Sequence, residues 1–164
     1  MTIRIRHMRP DDTAFVVDAW VETFRDSHAA GVVPMEFYQQ DYRKYVAWIL
    51  EQRRPAVLLA YDADADVQGT DLLGFLVYED SATFPAGRVT KTVGPVVHYV
   101  YVKQFARGNG LARALFDAAK IDQRGEFHHT FKGQHLLRDK IPRARWSPLI
   151  ARYPKTPTRE GDPR

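Results

Sequence analysis

A strand, a glycine-containing turn and a helix follow one another between Val96 and Lys120, and this segment constrains the fold most. Val96 to Val102 reads VVHYVYV, a run of β-branched and aromatic residues that is typical of a buried strand. The helix after the turn has four apolar residues at helical spacing, which should face a core: Leu111, Ala114, Leu115 and Ala118.

The turn itself carries features of an anion site. Glycines at Gly108 and Gly110 lack a Cβ, so the backbone can approach a ligand closely. The first amides of the following helix have no intrahelical acceptor, and they lie at the positive end of the helix dipole. Arg107 adds a full positive charge beside them. The segment therefore predicts a binding site for a diphosphate.

Two common phosphate-binding motifs do not fit this turn. A dinucleotide fingerprint requires a third glycine, and Arg113 stands at that position. That motif also belongs to the first strand–helix turn, whereas several elements precede Gly108 here. A nucleotide-triphosphatase loop requires a lysine followed by serine or threonine after its last glycine, and Gly110 is followed by leucine.

The preceding residues predict alternating elements of one domain. We expect a strand at Ile3 to Arg6, a helix from Pro10 to about Ser27, a second helix ending at Arg53-Arg54, and an antiparallel hairpin of Ala56–Tyr61 and Leu72–Tyr78. Asp80 to Thr92 is predicted to be a loop, either a flap over a site or a contact surface.

The pattern weakens after residue 125. Phe127 to Phe131 predicts a fifth strand and Gln134 to Lys140 a short helix, and we expect no clear strand after Pro142. Residues 124–164 hold 10 Lys/Arg against 4 Asp/Glu. We expect one domain over residues 1–153 and a flexible basic tail over residues 154–164.

Composition restricts the protein class. A chain of 164 residues is long enough for one domain with a real core. No apolar stretch reaches the ~20 residues that span a bilayer, and the N-terminus lacks the apolar run of a signal peptide. With no cysteine, the chain has no disulfide, thiolate metal site or cysteine nucleophile. We expect a cytoplasmic protein without a metal site.

Arg107-x-x-Gly110-x-Ala112, placed after a strand that ends in valine, resembles the acetyl-CoA loop of the GNAT acetyltransferase superfamily. The order of elements is similar as well: strand, two helices, antiparallel hairpin, long strand, phosphate loop and helix. The resemblance extends from about Ile3 to Ile121. It implies an α+β sandwich with a mixed, mostly antiparallel sheet, helices on both faces and a shortened or divergent C-terminal part.

The resemblance also implies a cofactor and its contacts. Acetyl-CoA would lay its pantetheine along the strand residues Val100, Tyr101 and Val102. Its pyrophosphate would lie among the residues of the turn and the helix start: Arg107, Gly108, Asn109, Gly110, Leu111 and Ala112. The implied reaction is N-acetyl transfer, in which an amine attacks the thioester directly in a ternary complex.

Candidate catalytic groups follow from the same resemblance. Many family members have a glutamate four residues before the strand-ending valine, and His98 stands there in this chain. Imidazole can accept a proton at neutral pH, so His98 is the candidate general base and Glu79 its alternative. The usual general acid is a tyrosine beyond the fifth strand. Only Tyr153 follows Tyr101 in the sequence, so it is the candidate acid.

The divergent C-terminal part leaves a second interpretation open. The chain could be a GNAT-like domain that has lost catalysis and serves as a binding or assembly module, as a homodimer or with another partner. The basic stretch from Arg138 to Arg152 is compatible with contact to nucleic acid or to the 3′-phosphate of the cofactor, and the sequence does not choose between them.

Overall fold

A computed structural model describes residues 2–25, 35–65, 70–121, 126–130 and 144–154. The strands are β1 (Ile3–His7), β2 (Ala56–Asp62), β3 (Leu72–Glu79), β4 (Ala82–Ala86), β5 (Val89–Val93), β6 (Val96–Val102), β7 (Phe127–His129) and β8 (Ala144–Trp146). The α-helices are α1 (Thr13–Arg25), α2 (Met35–Trp48) and α3 (Leu111–Ala118).

Six strands form one sheet in the order β1-β2-β3-β6-β7-β8, and β4 pairs with β5 in a separate hairpin. The pairs from β1 to β6 are antiparallel, whereas β7 runs parallel to both β6 and β8. The predicted α+β architecture with a mostly antiparallel sheet is therefore confirmed.

The centre of the sheet needs helices on both faces because β3 is buried along its whole length. On one face, the Trp20 ring of α1 stacks on Tyr99 of β6 with ring centroids 4.9 Å apart. On the other face, Phe116 of α3 packs edge-on against Phe127 of β7 at 5.7 Å. These aromatic contacts fix both helices against the two strands that border the site described below.

The end of α2 brings an arginine into the core. The helix continues as one π-helical turn over Ile49–Arg53 and stops at Arg54, whose backbone is left-handed (φ 49°). Pro55 follows, as expected of a residue that ends a helix. The wider turn leaves the Arg53 side chain fully buried.

The predicted loop from Asp80 to Thr92 is wrong. This segment contains the β4–β5 hairpin, which closes through a turn at Gly87 and Arg88. The Thr83 and Thr92 hydroxyls are 3.0 Å apart across the pair. The sequence pattern did not reveal the hairpin because its strands are only five residues long and one of them contains a proline.

The C-terminal part differs from expectation in three details. Ala118 ends the short α3 and is exposed, whereas Ala119 lies in the core. The fifth sheet strand predicted over Phe127 to Phe131 is shorter, ending at His129. A strand, β8, exists after Pro142, where none was expected. The predicted helix over residues 134–140 and all but the first residue of the predicted tail lie outside the described residues.

None of the helices in the described ranges is long and apolar enough to cross a membrane.

Replacing Gly74 with Ala should lower the free energy of unfolding by about 1–3 kcal/mol, measured by urea denaturation. A Cβ at Gly74 would lie 2.4 Å from the carbonyl oxygen of Tyr101, a backbone atom that cannot move without shifting β6. Gly94→Ala is the matched control, because a Cβ at Gly94 would lie 4.0 Å from the carbonyl oxygen of Glu126, an ordinary contact distance. This substitution should leave the free energy of unfolding nearly unchanged. Equal stabilities of the two variants would contradict the close approach of β3 and β6.

Candidate functional site

A cavity of about 470 Å³ lies beside the C-terminal half of β6 and the start of α3. It is lined by Thr23, Tyr99, Val100, Tyr101, Val102, Ala106, Arg107, Gly108, Gly110, Leu111, Ala112 and Arg113. The cavity thus connects the strand, the glycine-containing turn and the helix that the sequence analysis singled out.

The C-terminal half of β6 borders the cavity. Among the described residues, β6 pairs with β7 at Val96 with His128 and at Val97 with His129. Against β3, pairing continues to Val102, which faces Gly74. The β6 residues that line the cavity, Tyr99 to Val102, therefore follow the described pairs with β7.

A β-bulge sets the direction of the backbone in that half of β6. Val97 lies opposite Tyr78 and Tyr99 lies opposite Val77, so His98 has no counterpart in β3. An extra residue of this kind shifts the alternation of the strand by one position.

Hydrogen bonds on either side of the bulge reveal the shift. Before it, the Val97 carbonyl faces β7 and accepts from Thr130 N at 3.1 Å. After it, Lys103 N donates to Leu73 O of β3 at 2.8 Å, so alternate residues back to Tyr99 also face β3. The peptide groups of the residues between them, Val100 and Val102, consequently point into the cleft.

The turn after β6 folds back on the strand end. Arg107 Nε donates to the carbonyl oxygen of Val102 at 3.0 Å, which holds the guanidinium at the edge of the cavity. Gly108 and Gly110 have φ of 84° and 76°, a left-handed conformation that side chains with a Cβ disfavour. Glycine is therefore favoured at these two positions because of the left-handed backbone conformation.

Helix α3 begins with its amides directed to the same cavity. The first intrahelical bond runs from Ala114 N to Gly110 O at 2.9 Å, and no side chain in the described part of the chain caps the helix at Gly110. The amides of Leu111, Ala112 and Arg113 precede that bond, so they have no acceptor within the helix. Together with the Arg107 and Arg113 side chains, they give this end of the cavity a positive potential.

The structure brings nearly all the predicted cofactor residues to one cavity. Only Asn109 is not part of its lining, and its side-chain amide lies 3.4 Å from Ala106 O. Thr23 and Tyr99 also line the cavity, although neither was predicted as a site residue, and their hydroxyl oxygens are 2.9 Å apart at the α1 side. Their link is a tertiary contact over 76 positions, which no local spacing could reveal.

The predicted base and its alternative lie together, away from the cavity lining. His98 and Glu79 are both buried, and His98 Nε2 is 2.7 Å from Glu79 Oε1. Arg53 contacts the same carboxylate through Nε at 2.5 Å and Nη2 at 3.1 Å. On its other side, His98 Nδ1 is 3.1 Å from the hydroxyl oxygen of Thr130.

Charge states follow from these contacts. Burial alone would raise the pKa of Glu79, but hydrogen bonds from His98 and Arg53 outweigh it and hold that pKa below its usual value. Burial lowers the pKa of His98, against the opposing effect of Glu79. Glu79 is thus an anion and His98 neutral at pH 7. Because a carboxylate only accepts hydrogen bonds, Nε2 carries the proton and Nδ1 accepts from the hydroxyl of Thr130.

Tyr153, the predicted acid, lies outside the cavity lining with a side chain that is 36% exposed. Its backbone carbonyl accepts a hydrogen bond from Arg53, and so does the carbonyl of Ile150, at 2.9 Å from Arg53 Nη1. The structure therefore brings Tyr153 to the His98 network through its main chain. Whether its hydroxyl acts in catalysis stays a prediction.

A metal site has no support within the part of the chain that the structure describes, where no three His, Asp or Glu side chains cluster suitably. His128 instead pairs with Ser147, with Nδ1 and Oγ 2.8 Å apart. Residues 138–143 of the basic stretch from Arg138 to Arg152 lie outside the described ranges.

Glu79→Gln should lower the free energy of unfolding by about 3–5 kcal/mol in urea denaturation, because it leaves the Arg53 guanidinium buried without a counter-charge. Asp18→Asn is a suitable control, since it removes an ion pair with Arg43 whose side chains are about half exposed. That control should change stability by less than about 1 kcal/mol. A fully stable Glu79→Gln protein would show that the buried charges are not coupled.

Comparison with solved structures gives several similar folds. A protein from Pyrococcus furiosus, provisionally described as an acetyl transferase, superposes with a TM-score of 0.56 at 14% identity, over 84% of this chain and 88% of that chain. A Corynebacterium glutamicum protein described as histone acetyltransferase HPA2 and related acetyltransferase gives 0.52 at 15% identity, over 73% and 70%. A possible acetyltransferase from Clostridium difficile gives 0.51 at 15% identity, over 85% of each chain.

No protein-family model and no curated protein sequence matches the chain. The similarity is therefore one of structure, at identities too low to carry over activity or substrate. The chain therefore shares with these three structures the GNAT-like fold that the sequence resemblance implied.

Proposed function

We propose that the protein is an N-acetyltransferase that transfers the acetyl group of acetyl-CoA to an amine. The observation that carries the proposal is one continuous cavity that joins the C-terminal half of β6 to the start of α3. One end offers strand peptide groups to an amide-containing chain, and the other offers helix amides and arginines to phosphates. Coenzyme A has both parts in that order.

The cofactor would occupy the cavity along its length. The Val100 peptide group and the Val102 N–H would bond the pantetheine amides, with Tyr101 in the strand between them, while the Val102 carbonyl accepts from Arg107 Nε. The pyrophosphate would lie against the glycines and first amides of α3, with Arg107 supplying positive charge. This placement is supported by the direction of the strand backbone after the bulge and by the uncapped helix start.

The reaction would be a direct transfer. The amine nitrogen attacks the thioester carbonyl, the new C–N bond forms, and the C–S bond breaks to release the coenzyme A thiolate. The N–H of Val100 would stabilise the negative charge that develops on the carbonyl oxygen. One proton leaves the amine and one reaches the thiolate, so the reaction is balanced without an oxidant or a metal.

The proton-transfer groups remain proposals with defined requirements. His98 could accept the amine proton at Nδ1 only if Thr130 releases it, and Glu79 would have to give up its bonds to Arg53 and His98. For Tyr153 to protonate the thiolate, its side chain would have to turn towards the cavity. Each role therefore requires the buried network, or the chain around it, to rearrange.

The positions of the predicted catalytic residues favour a second function. The three predicted catalytic residues all lie outside the cavity lining, which fits a domain that keeps the cofactor cavity and has lost catalysis. Such a protein would act as a binding or assembly module. The two proposals share the cavity and differ only in turnover.

Coenzyme A at ~100 times its dissociation constant should stabilise the folded protein by about 2.7 kcal/mol, measured as a shift in thermal unfolding. Arg107→Glu should abolish the shift because it places a negative charge against the phosphates. Arg4→Glu, on the exposed face of β1 at the far edge of the sheet, is the charge-matched control and should keep the shift. An undiminished shift in Arg107→Glu would refute this placement of the pyrophosphate.

Release of free thiol from acetyl-CoA in the presence of an amine panel should distinguish the two functions. The enzyme proposal requires amine-dependent thiol release and an acetylated product detected by mass spectrometry. Cofactor binding without turnover on peptide, polyamine and aminoglycoside amines would instead support the binding module. Absence of both binding and turnover would refute the acetyl-CoA proposal altogether.

A further inference from the structure

The side chain of the bulged residue in β6, His98, is hydrogen-bonded to the residues around it. A bulged residue has no counterpart in the neighbouring strand, so nothing in the ladder itself prevents a slip to regular pairing. His98 is that residue, it is fully buried, and both nitrogens of its ring are hydrogen-bonded.

The two ring bonds reach the strands on either side of β6. Glu79 is the last residue of β3, and Thr130 directly follows β7. His98 therefore links three adjacent strands, and it directly follows the described β6–β7 pairs at Val96 and Val97. The link lies at the bulge, next to the end of β6 that lines the cavity.

Removal of the bulge would have a defined consequence. If His98 entered regular register with β3, the alternation of the following residues would shift by one. The peptide group of Val100 would then face β3, and that of Tyr99 would face the cleft. The side chains of the strand end would change faces with them, so the cavity would lose its present lining.

Arg53 completes the arrangement from outside the sheet. It fixes the Glu79 carboxylate by two bonds and uses Nη1 to bind the Ile150 carbonyl. The side chain thereby orients the acceptor of the His98 Nε2 proton. It also attaches the C-terminal turn over Pro148–Arg152 to the same network.

We propose that His98 is a positioning residue for the acyl transfer: its bonds to Glu79 and Thr130 hold the bulge that turns the peptide groups of Val100 and Val102 into the cofactor cleft. The proposal rests on the proposed function, because a ligand that lies along β6 is what would use these groups. It assigns His98 a role through the backbone of Val100 in place of direct proton transfer.

Two ligands separate this role from a general effect on folding. Coenzyme A would contact both β6 and the turn, whereas adenosine 3′,5′-bisphosphate lacks pantetheine and would contact the turn alone. Thr130→Val removes the hydroxyl at nearly constant volume. It should weaken coenzyme A binding about tenfold in calorimetry, which corresponds to one or two misaligned hydrogen bonds, and change bisphosphate binding less than about twofold. His98→Ala should show the same selective loss, and a larger one.

The controls test the hydroxyl and the stability separately. Thr130→Ser keeps a hydroxyl and should restore most of the coenzyme A affinity. Leu59→Ala removes buried apolar volume from β2 and lowers stability without touching the bulge, so its folded fraction should bind both ligands as the wild type does. If His98→Ala does not fold, the Thr130 pair still decides the question.

The binding measurements on Thr130→Val and on the wild type have distinct outcomes. Equal weakening of both ligands by Thr130→Val, or no weakening of either, would overturn the positioning role. Wild-type protein that binds both ligands while the variants lose nothing would refute this inference and leave the proposed function intact. Wild-type protein that binds neither ligand would refute both.

A pH–rate profile of His98→Gln tests the same residue against the predicted base role. A positioning residue should raise KM for acetyl-CoA and leave the limb of the profile near neutral pH in place. A general base should lower kcat and remove that limb. Loss of the limb with KM unchanged would make His98 the base and would overturn the positioning role.

Discussion

The site depends on one irregularity in the hydrogen-bonding ladder of β6. A single extra residue, His98, reverses the alternation of the strand, so that the peptide groups of Val100 and Val102 face away from β3. Within the described residues, β7 pairs with β6 on that side at Val96 and Val97. In the proposed enzyme, the Val100 peptide group and the Val102 N–H would form their hydrogen bonds with the cofactor. The position of the turn and of α3 then places a cationic end at the far side of the same cavity.

A buried network of Arg53, Glu79 and His98 surrounds the bulge in β6. Ionised groups seldom lie in a core unless they are paired, because only an opposite charge and hydrogen bonds offset the free-energy cost of removing them from water. Arg53, Glu79 and His98 satisfy one another, and the remaining donors reach main-chain carbonyls near the C-terminus. The network therefore couples the end of α2, three strands and the C-terminal turn. In the proposed enzyme, stability of the sheet and alignment of the cofactor would depend on the same few bonds.

Local sequence patterns predicted the elements whose signals are strong and short-range. The strand over Val96 to Val102 and the turn with Arg107 appear where expected, since β-branched runs and glycines act on neighbouring residues. The β4–β5 hairpin was missed because cross-strand pairing, more than composition, stabilises its two five-residue strands. The spacing that made His98 a candidate base identified a special position in the strand. It did not reveal that Thr130 and Glu79 would occupy both ring nitrogens.

By itself, the sequence determined the order of the elements up to α3 apart from the β4–β5 hairpin, the glycine geometry before α3 and the charge beside it, because these depend on the chemistry of consecutive residues. The tertiary structure alone decided the register of β6 against β3, its described pairs with β7, and the burial of Arg53 and His98. Those features depend on which distant segments meet: Glu79 and Thr130 lie 19 and 32 positions from His98, and their bonds to its ring form only once the sheet is assembled. Hydrogen bonds across such distances have no signature in the local pattern of a chain.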